Sequence, residues 1–320
     1  MKKHIIILTG GNSAEKDISI KSAELVEDVL KKHYTTSMIF CSSIKKIEFF
    51  NTKKEKIELK KYVKENKTQA VLVMIHGSPG ENGIVSKYLK KINIPYTNCD
   101  EFQSALTFNK NKCNNYLKEK HKINVPNSIC FKNIFDETKF NKSQINFPCF
   151  IKPNNGGSSF GASIAKNITE LKKSFKNASK YDHEVIVEEF IKGKEVTCGT
   201  YSINKKIMCL PITEIRTEND FFDYDAKYKG FSEEITPAKI NKNTAKKVTE
   251  TSRKIYKKLN LKGIVRIDYI IKENKPYMIE VNTIPGMSKE SIIPQQIKSA
   301  KIDIGKFMSN IIEECIKINQ

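Results

Sequence analysis

The chain reads as an α/β protein whose first hundred residues form an open parallel sheet. The apolar run at residues 5–8 stops at Gly10-Gly11, and an amphipathic helical pattern follows from about 14 to 32. A second apolar run, 70–75, ends in His76-Gly77-Ser78-Pro79-Gly80 and leads into a helical pattern from about 83 to 91. Residues 94–97 read as a third short strand. Strands alternating with helices imply a parallel sheet, whose ligands lie beyond the strands' C-terminal ends. Both glycine-containing turns, near Glu15 and His76, fall at such ends, so topology alone marks a site there.

The rest of the chain divides in two. Residues 104–121 are helical in pattern, short strands follow at 128–131 and 148–152, then a helix at 169–179 and a strand at 184–191. This block has mixed strands around a Gly-Ser turn and reads as a central α+β subdomain. Beyond it come strands near 195–202 and 206–215, a polar, aromatic loop at 216–232, a long helix at about 244–259, two strands around Asn274 and a C-terminal helix from about Ile304. The expected units are 1–100, 101–193 and 194–320. There is no internal repeat or low-complexity linker, so they are expected to pack closely.

Composition narrows the function. An apolar fraction of 39% with 17 Phe suits a folded chain. No run approaches the ~20 apolar residues of a membrane helix. Met1-Lys2-Lys3-His4 before an apolar run imitates a signal peptide, but the run is too short and breaks at Gly10-Gly11 without a cleavage pattern, so a cytoplasmic protein is expected. The eight cysteines are scattered with no C-x-x-C pair and read as reduced thiols. No two of the five histidines share a zinc-type spacing. The net charge of +20 is carried almost wholly by lysines spread along the chain, the arginines being Arg216, Arg253 and Arg266. With no RNA-type aromatic motif beside them, they read as solvated faces, and neither nucleic acid nor membrane is an expected partner.

The strongest chemical signal is Arg266-x-Asp268 with Glu280-x-Asn282. Asp268 and Glu280 are equally distant from Asn274, the centre of the polar turn Glu273-Asn274-Lys275. A simple hairpin then sets Asp268 opposite Glu280 and Arg266 opposite Asn282, with all four side chains on one face. Facing carboxylates repel unless a cation lies between them. Oxygen donors from Asp, Glu and Asn suit Mg²⁺, completed by substrate phosphates. A solvated edge is the alternative, but the other residues of both strands are strongly apolar. Arg266, in a chain that otherwise uses lysine, suggests a task for a planar fork of donors, such as a developing oxyanion or a phosphoryl group.

Two weaker signals accompany it. Lys152-Pro153-Asn154-Asn155-Gly156-Gly157-Ser158-Ser159-Phe160-Gly161 ends a strand in lysine and continues in small residues that can expose backbone N–H groups to phosphate. It is not a Walker sequence, and a plain turn fits equally well. Glu188-Glu189-Phe190-Ile191, leading through Gly193 to Glu195, can offer groups to adenine and ribose, or can be an ordinary strand end.

In order along the chain, Gly10-Gly11-x-Ser13-Ala14-Glu15, His76-Gly77-x-x-Gly80-Glu81-x-Gly83, Pro95-Tyr96-Thr97 with Ser104-Ala105, Lys110, Lys152-Pro153 with Gly157-Ser158-Ser159, Glu188 with Glu195, Asp223-Tyr224-x-Ala226-Lys227-Tyr228, Arg266-x-Asp268 and Glu280-x-Asn282-Thr283-x-Pro285-Gly286-Met287 with Ser291 resemble the D-alanine–D-alanine ligase family of the ATP-grasp fold. The resemblance spans essentially the whole chain. It implies ligation of two D-alanines through an acyl phosphate, with release of ADP and phosphate, for peptidoglycan precursors. ATP is then a substrate, and two Mg²⁺ ions, with Mn²⁺ as a substitute, sit on Asp268, Glu280 and Asn282. Glu15 binds the first D-alanine's ammonium, with His76 near that substrate. Lys110, Lys152, Ser158 and Ser159 belong to the ATP site, Glu188 and the Ile191 backbone read adenine, and Glu195 holds ribose. Arg266 and the Gly286 N–H form the oxyanion hole, Ser291 holds the second carboxylate, and Lys227 reaches the phosphates or substrate carboxylate from a closing loop. Tyr228, Ser158 and Glu15 form a hydrogen-bonded triad. A homodimer is also implied.

Asn82 replaces a usual Asp, and Ser86-Lys87 stand where Gln-Gly is common, which bears on packing or dimer contacts. Rival readings are a ligase using D-lactate or D-serine second, set by the loop around Tyr228, an ATP-binding protein without turnover, and a basic nucleic-acid-binding protein.

Overall fold

The computed structural model describes residues 2–43, 46–217 and 232–318. In the first sheet, β1 (His4–Gly10) lies between β2 (Thr35–Ser42) and β5 (Thr68–Val73), parallel to both. Every residue of β1 is buried because both faces are covered. Ile5 and Ile7 pack with Ala23, Val26 and Leu30 of α1 (Lys16–Leu30), and also with Phe307 and Ile311. Ile6 and Leu8 pack with Leu59, Val85 and Leu89 of α2 (Leu59–Glu65) and α3 (Ile84–Lys91). Such two-sided burial is why β1 reads as a continuous apolar run.

Four elements of this sheet differ from expectation. β2, and the antiparallel β3 (Glu48–Phe50) and β4 (Lys56–Ile57) that extend its edge, were not anticipated. The expected strand at 94–97 is a single parallel bridge, Tyr96 to Val71. Pro95 has no N–H to give a ladder, and only its carbonyl is used, by the Val71 N–H at 2.8 Å.

The helical pattern at 104–121 is two helices, α4 (Glu101–Phe108) and α5 (Lys110–His121). They break at Asn109, whose side chain caps α5 by accepting the Lys112 N–H at 2.9 Å. The second sheet is antiparallel, in the order β6 (Ser128–Lys132), β9 (Glu184–Glu189), β7 (Cys149–Pro153), β8 (Ser163–Ala165). α6 (Glu137–Lys142) and α7 (Ile168–Ala178) cover it through Phe140, Leu171 and Phe175.

The third sheet, also antiparallel, runs β13 (Ser232–Ile235), β12 (Thr213–Thr217), β10 (Lys194–Ile203), β14 (Ile264–Lys272), β15 (Lys275–Asn282), with β11 (Lys206–Cys209) paired to β10. The expected strand at 206–215 is thus two, interrupted at Pro211. α8 (Lys242–Lys258) packs Val248, Ile255 and Tyr256 onto this sheet, and Cys113 and Leu117 of α5 join the same core. α9 (Ile292–Ser299) and α10 (Ile304–Ile318) follow, and α10 returns to the first sheet. Of the expected loop at 216–232, Arg216 and Thr217 close β12 and Ser232 opens β13. Lys227 and Tyr228, with the closure assigned to them, lie outside the described residues. Among the described residues no helix is long and apolar enough to cross a membrane.

Candidate active site

The β14–β15 hairpin turns at Glu273-Asn274, both with positive φ (51° and 59°), so that Lys272 faces Lys275. Counted from that two-residue turn, Asp268 would face Ile279. A bulge between Asp268 and Tyr269 adds one residue to β15: Tyr269 still faces Met278, but Asp268 faces Glu280 and Arg266 faces Asn282. The expected pairs therefore form, through a tighter turn and a bulge instead of a symmetric three-residue turn.

Asp268 accepts the Arg266 fork, Nε at 2.9 Å on Oδ1 and Nη2 at 2.8 Å on Oδ2. It also accepts Thr197 Oγ1 at 2.5 Å from the neighbouring β10 and Asn282 Nδ2 at 2.9 Å. Glu280 Oε2 lies 3.5 Å from Lys110 Nζ. A guanidinium and an ammonium thus offset the facing carboxylates. The described residues hold no cluster of three or more His, Cys, Asp and Glu side chains that could take a metal. The all-oxygen set of Asp268, Glu280 and Asn282 fits a hard cation whose coordination is completed by substrate and water.

Two chambers meet here. The larger, about 1220 Å³, is lined by Lys110, Lys152, Ser159, Glu188, Ile191, Glu195 and Asp268 among others. The smaller, about 620 Å³, is lined by His76, Glu81, Ser158, Asn282, Gly286 and Ser291. Glu15, Lys110, Gly157, Arg266 and Glu280 line both. The structure thus gathers every described candidate residue around one junction.

In the larger chamber Lys152 Nζ pairs with Glu188 Oε2 at 2.7 Å, and both are buried. Glu188 Oε1 is buried with no hydrogen-bond partner among the described residues. Such an acceptor is costly to leave unmet and is well placed for a ligand donor. The small-residue loop is held at several points: Asn155 N and Nδ2 both reach Asp182 Oδ2 at 2.7 Å, Asn154 Nδ2 reaches Glu184 Oε2 at 2.7 Å, and Lys110 Nζ reaches the Gly156 carbonyl at 2.5 Å. Ser158 and Ser159 then take left-handed backbones, φ 53° and 57°. Ser158 Oγ donates to Glu15 Oε1 at 2.5 Å, one of the expected hydrogen bonds. Gly157 approaches so closely that a Cβ there would lie 2.8 Å and 2.9 Å from the two Glu15 oxygens.

In the smaller chamber His76 is buried and both ring nitrogens are engaged, Nδ1 with the Ile284 carbonyl at 2.7 Å and Nε2 with Ser22 Oγ at 3.1 Å. Burial is the chief cause lowering its pKa, aided by Arg266 and opposed by Glu15 and the Ile284 bond, so the ring is neutral. Glu81 accepts the Gly77 N–H at 2.8 Å and the Ile284 N–H at 3.3 Å. Burial, then the charge of Glu15, push its carboxyl up to about 7. Ser291 Oγ accepts the Ser288 N–H at 3.1 Å, and a Cβ on Gly286 would stand 2.7 Å from that oxygen.

Sequence reasoning missed Thr197, Ser22 and a role for Glu81. Glu81 stands inside the His76 motif and could have been found there, whereas Thr197 and Ser22 carried no local signal. The unusual residues behind His76 are accommodated. Asn82 Nδ2 reaches Ser78 Oγ at 2.9 Å, buried Ser86 donates to the Cys99 carbonyl at 2.8 Å and accepts from Asn98, and Lys87 pairs with Glu101 on the surface.

Residues 119–313 match the family model described as the D-ala D-ala ligase C-terminus. A D-alanine–D-alanine ligase of Phocaeicola vulgatus is 40% identical over 324 residues, covering 98% of this chain and 99% of its own. The chain belongs to the D-alanine–D-alanine ligase family. The corresponding Flavobacterium johnsoniae ligase is also 40% identical, over 97% of this chain and 98% of its own. Among solved structures, the D-alanine–D-alanine ligase of Bacillus anthracis superposes with TM-score 0.83 at 29% identity, covering 99% of this chain and 98% of the other. A D-Ala:D-Ser ligase of Enterococcus faecalis superposes with TM-score 0.81 at 28% identity, covering all of both. The three sheets are accordingly the ATP-grasp fold of this family, an α/β architecture.

Proposed function

We propose that this protein joins two D-alanine molecules, driven by ATP, through an acyl-phosphate intermediate. The observation that carries this reading is the meeting of a nucleotide-sized chamber and a smaller polar one at Glu15, Gly157, Lys110, Arg266 and Glu280. Family membership supplies the substrates: relatives sharing 40% of their residues are D-alanine–D-alanine ligases, and the Bacillus anthracis structure was also solved complexed with ATP.

In this reading ATP lies in the larger chamber. The unmet Glu188 Oε1 accepts from the adenine amino group and the Ile191 backbone reads the ring edge, while Glu195 takes the ribose hydroxyls. Lys110, Lys152, Ser158, Ser159 and Lys227 serve the phosphates. Asp268, Glu280 and Asn282 would hold two magnesium ions, or manganese in their place, which when bound neutralise charge on the transferring phosphoryl group.

Glu15 receives the ammonium of the first D-alanine, whose carboxylate attacks the γ-phosphorus and releases ADP. The amine of the second D-alanine loses a proton and attacks the acyl carbon, and phosphate leaves. Arg266 and the Gly286 N–H steady the oxyanion that forms in between. Ser291 holds the second carboxylate, and Tyr228 extends the Ser158–Glu15 bond into a triad that favours a cationic amino substrate. His76, with both nitrogens occupied, shapes the first-substrate pocket. The product serves peptidoglycan precursors in a cytoplasmic enzyme, a homodimer with subunits divided at 1–100, 101–193 and 194–320.

The test is ADP release by purified protein with ATP, Mg²⁺ and a panel of D- and L-amino acids, D-serine and D-lactate included. D-Alanine should stimulate it most and yield the dipeptide. ADP release indifferent to every D-amino acid would refute the reading.

A further inference from the structure

Ser22 lies on α1, about two turns beyond Glu15, fully buried and outside both chambers' walls. Its hydroxyl is engaged twice, with His76 Nε2 at 3.1 Å and with the Met287 N–H at 3.0 Å. The proton positions follow from chemistry. The Ile284 carbonyl can only accept, so His76 Nδ1 carries the hydrogen of that 2.7 Å bond. A neutral ring then leaves Nε2 as an acceptor, and the Ser22 O–H must donate to it. The same oxygen accepts from Met287 N–H. One assignment satisfies all three bonds, and nothing is left unpaired at Ser22.

The consequence is mechanical. The loop Ile284-Pro285-Gly286-Met287 follows β15, yet it is gripped by residues of the first sheet's layer: His76 on the Ile284 carbonyl, Glu81 on the Ile284 N–H at 3.3 Å, and Ser22 on the Met287 N–H. Gly286 sits between the two gripped residues. We propose that Ser22 is a positioning residue for the second chemical step, fixing the 284–287 loop so that the Gly286 N–H meets the developing oxyanion. This rests on the role given to Gly286 above. Ser22 touches no substrate and acts through Met287 and His76.

The step it serves is attack on the acyl phosphate, where negative charge grows on the carbonyl oxygen. Formation of the acyl phosphate places no new charge there. Ser22→Ala should therefore separate the two steps. With ATP labelled in its β,γ-bridging oxygen, D-alanine-dependent scrambling of the label reports reversible acyl-phosphate formation, and dipeptide release reports ligation. In Ser22→Ala we expect dipeptide kcat to fall about tenfold to a hundredfold, the scale of a misplaced catalytic group. Scrambling and the KM for ATP should stay within about threefold, a scale far below that of the misplaced group. Ser22→Cys, which keeps a weak donor and acceptor, should fall between, and it decides the matter if Ser22→Ala does not fold by thermal melting. Parallel loss of scrambling and ligation, or no loss of either, overturns the proposal. A wild-type protein that neither scrambles nor ligates with D-alanine refutes the proposed function instead, so the two failures are distinguishable.

Discussion

Asp268 faces Glu280 across the hairpin because Ile279 is the extra residue of a bulge. Without it, Ile279 would occupy the cleft position and Glu280 would turn towards the core beside Ile267, which is fully buried. A single added residue thus decides whether the carboxylates share one space.

Asp268→Asn and Glu280→Gln should each lower ligation about 10²-fold or more, on the scale of losing a preorganised electrostatic group, while leaving the melting temperature within a few degrees. Glu280→Gln is the cleaner variant, since Asp268 also holds Arg266. Titrating magnesium in both variants is the check, and near-normal turnover at ordinary magnesium would remove these residues from the cation site.

Arg266→Lys should cost about 10²-fold in kcat, the scale of losing an oxyanion donor. The guanidinium spans both Asp268 oxygens through Nε and Nη2 and lines both chambers. A lysine ammonium can hold the carboxylate or face the substrate, but lacks the fork to do both. Steady-state rates within a few-fold of wild type would make Arg266 a structural ion-pair partner.

Glu188→Gln should act on nucleotide affinity. Glu188 is the buried partner of Lys152, and its second oxygen has no hydrogen-bond partner among the described residues. An amide there leaves the Lys152 charge uncompensated and can present N–H where an acceptor is needed. We expect the KM for ATP to rise about tenfold or more, the cost of an unsatisfied buried group, with a smaller change in kcat. Direct ATP binding by calorimetry checks it, and unchanged affinity rules out adenine recognition through Glu188.

The raised carboxyl of Glu81 predicts a pH signature. Its folded value of about 7 exceeds the ordinary 4.5, so the folded state binds the proton more tightly between those limits. Where the folded state holds more protons, stability falls as pH rises, so wild type loses this contribution from pH 5 to 7. Glu81→Gln cannot titrate, so its melting temperature relative to wild type should climb across that window. A difference constant from pH 5 to 8 would show that Glu81 does not titrate there.

The parts legible in the sequence are those whose signal is local. β1 and β5 carry unbroken apolar runs, Ile5 to Leu8 and Ala70 to Val73, because both faces are covered there, and Asp268 and Glu280 announced themselves by type and spacing. β2 was missed because its polar residues, Thr35 to Ser37 and Ser42, hide a half-buried strand. The break at Asn109 was missed although Asn is a good cap, because apolar residues continue on both sides. The bulge left no mark, and the right pairing was reached through a turn one residue too long. Ser22 and Thr197 could not be read at all, since their partners Met287 and Asp268 lie far along the chain.

The close approach of Gly157 to Glu15 also limits how this chain could escape a drug. An inhibitor reaching from one chamber into the other would pass Gly157, Arg266 and Glu280. Bulk added at 157 to block such a compound would meet the Glu15 carboxylate at 2.8 Å, displacing the group proposed above to receive the first substrate's ammonium. The larger chamber also has apolar lining residues, Phe150 and Ile270, that take no part in that contact, and changes there would leave it in place. Compounds seated at the junction would leave the protein fewer tolerable replies than compounds confined to the nucleotide side.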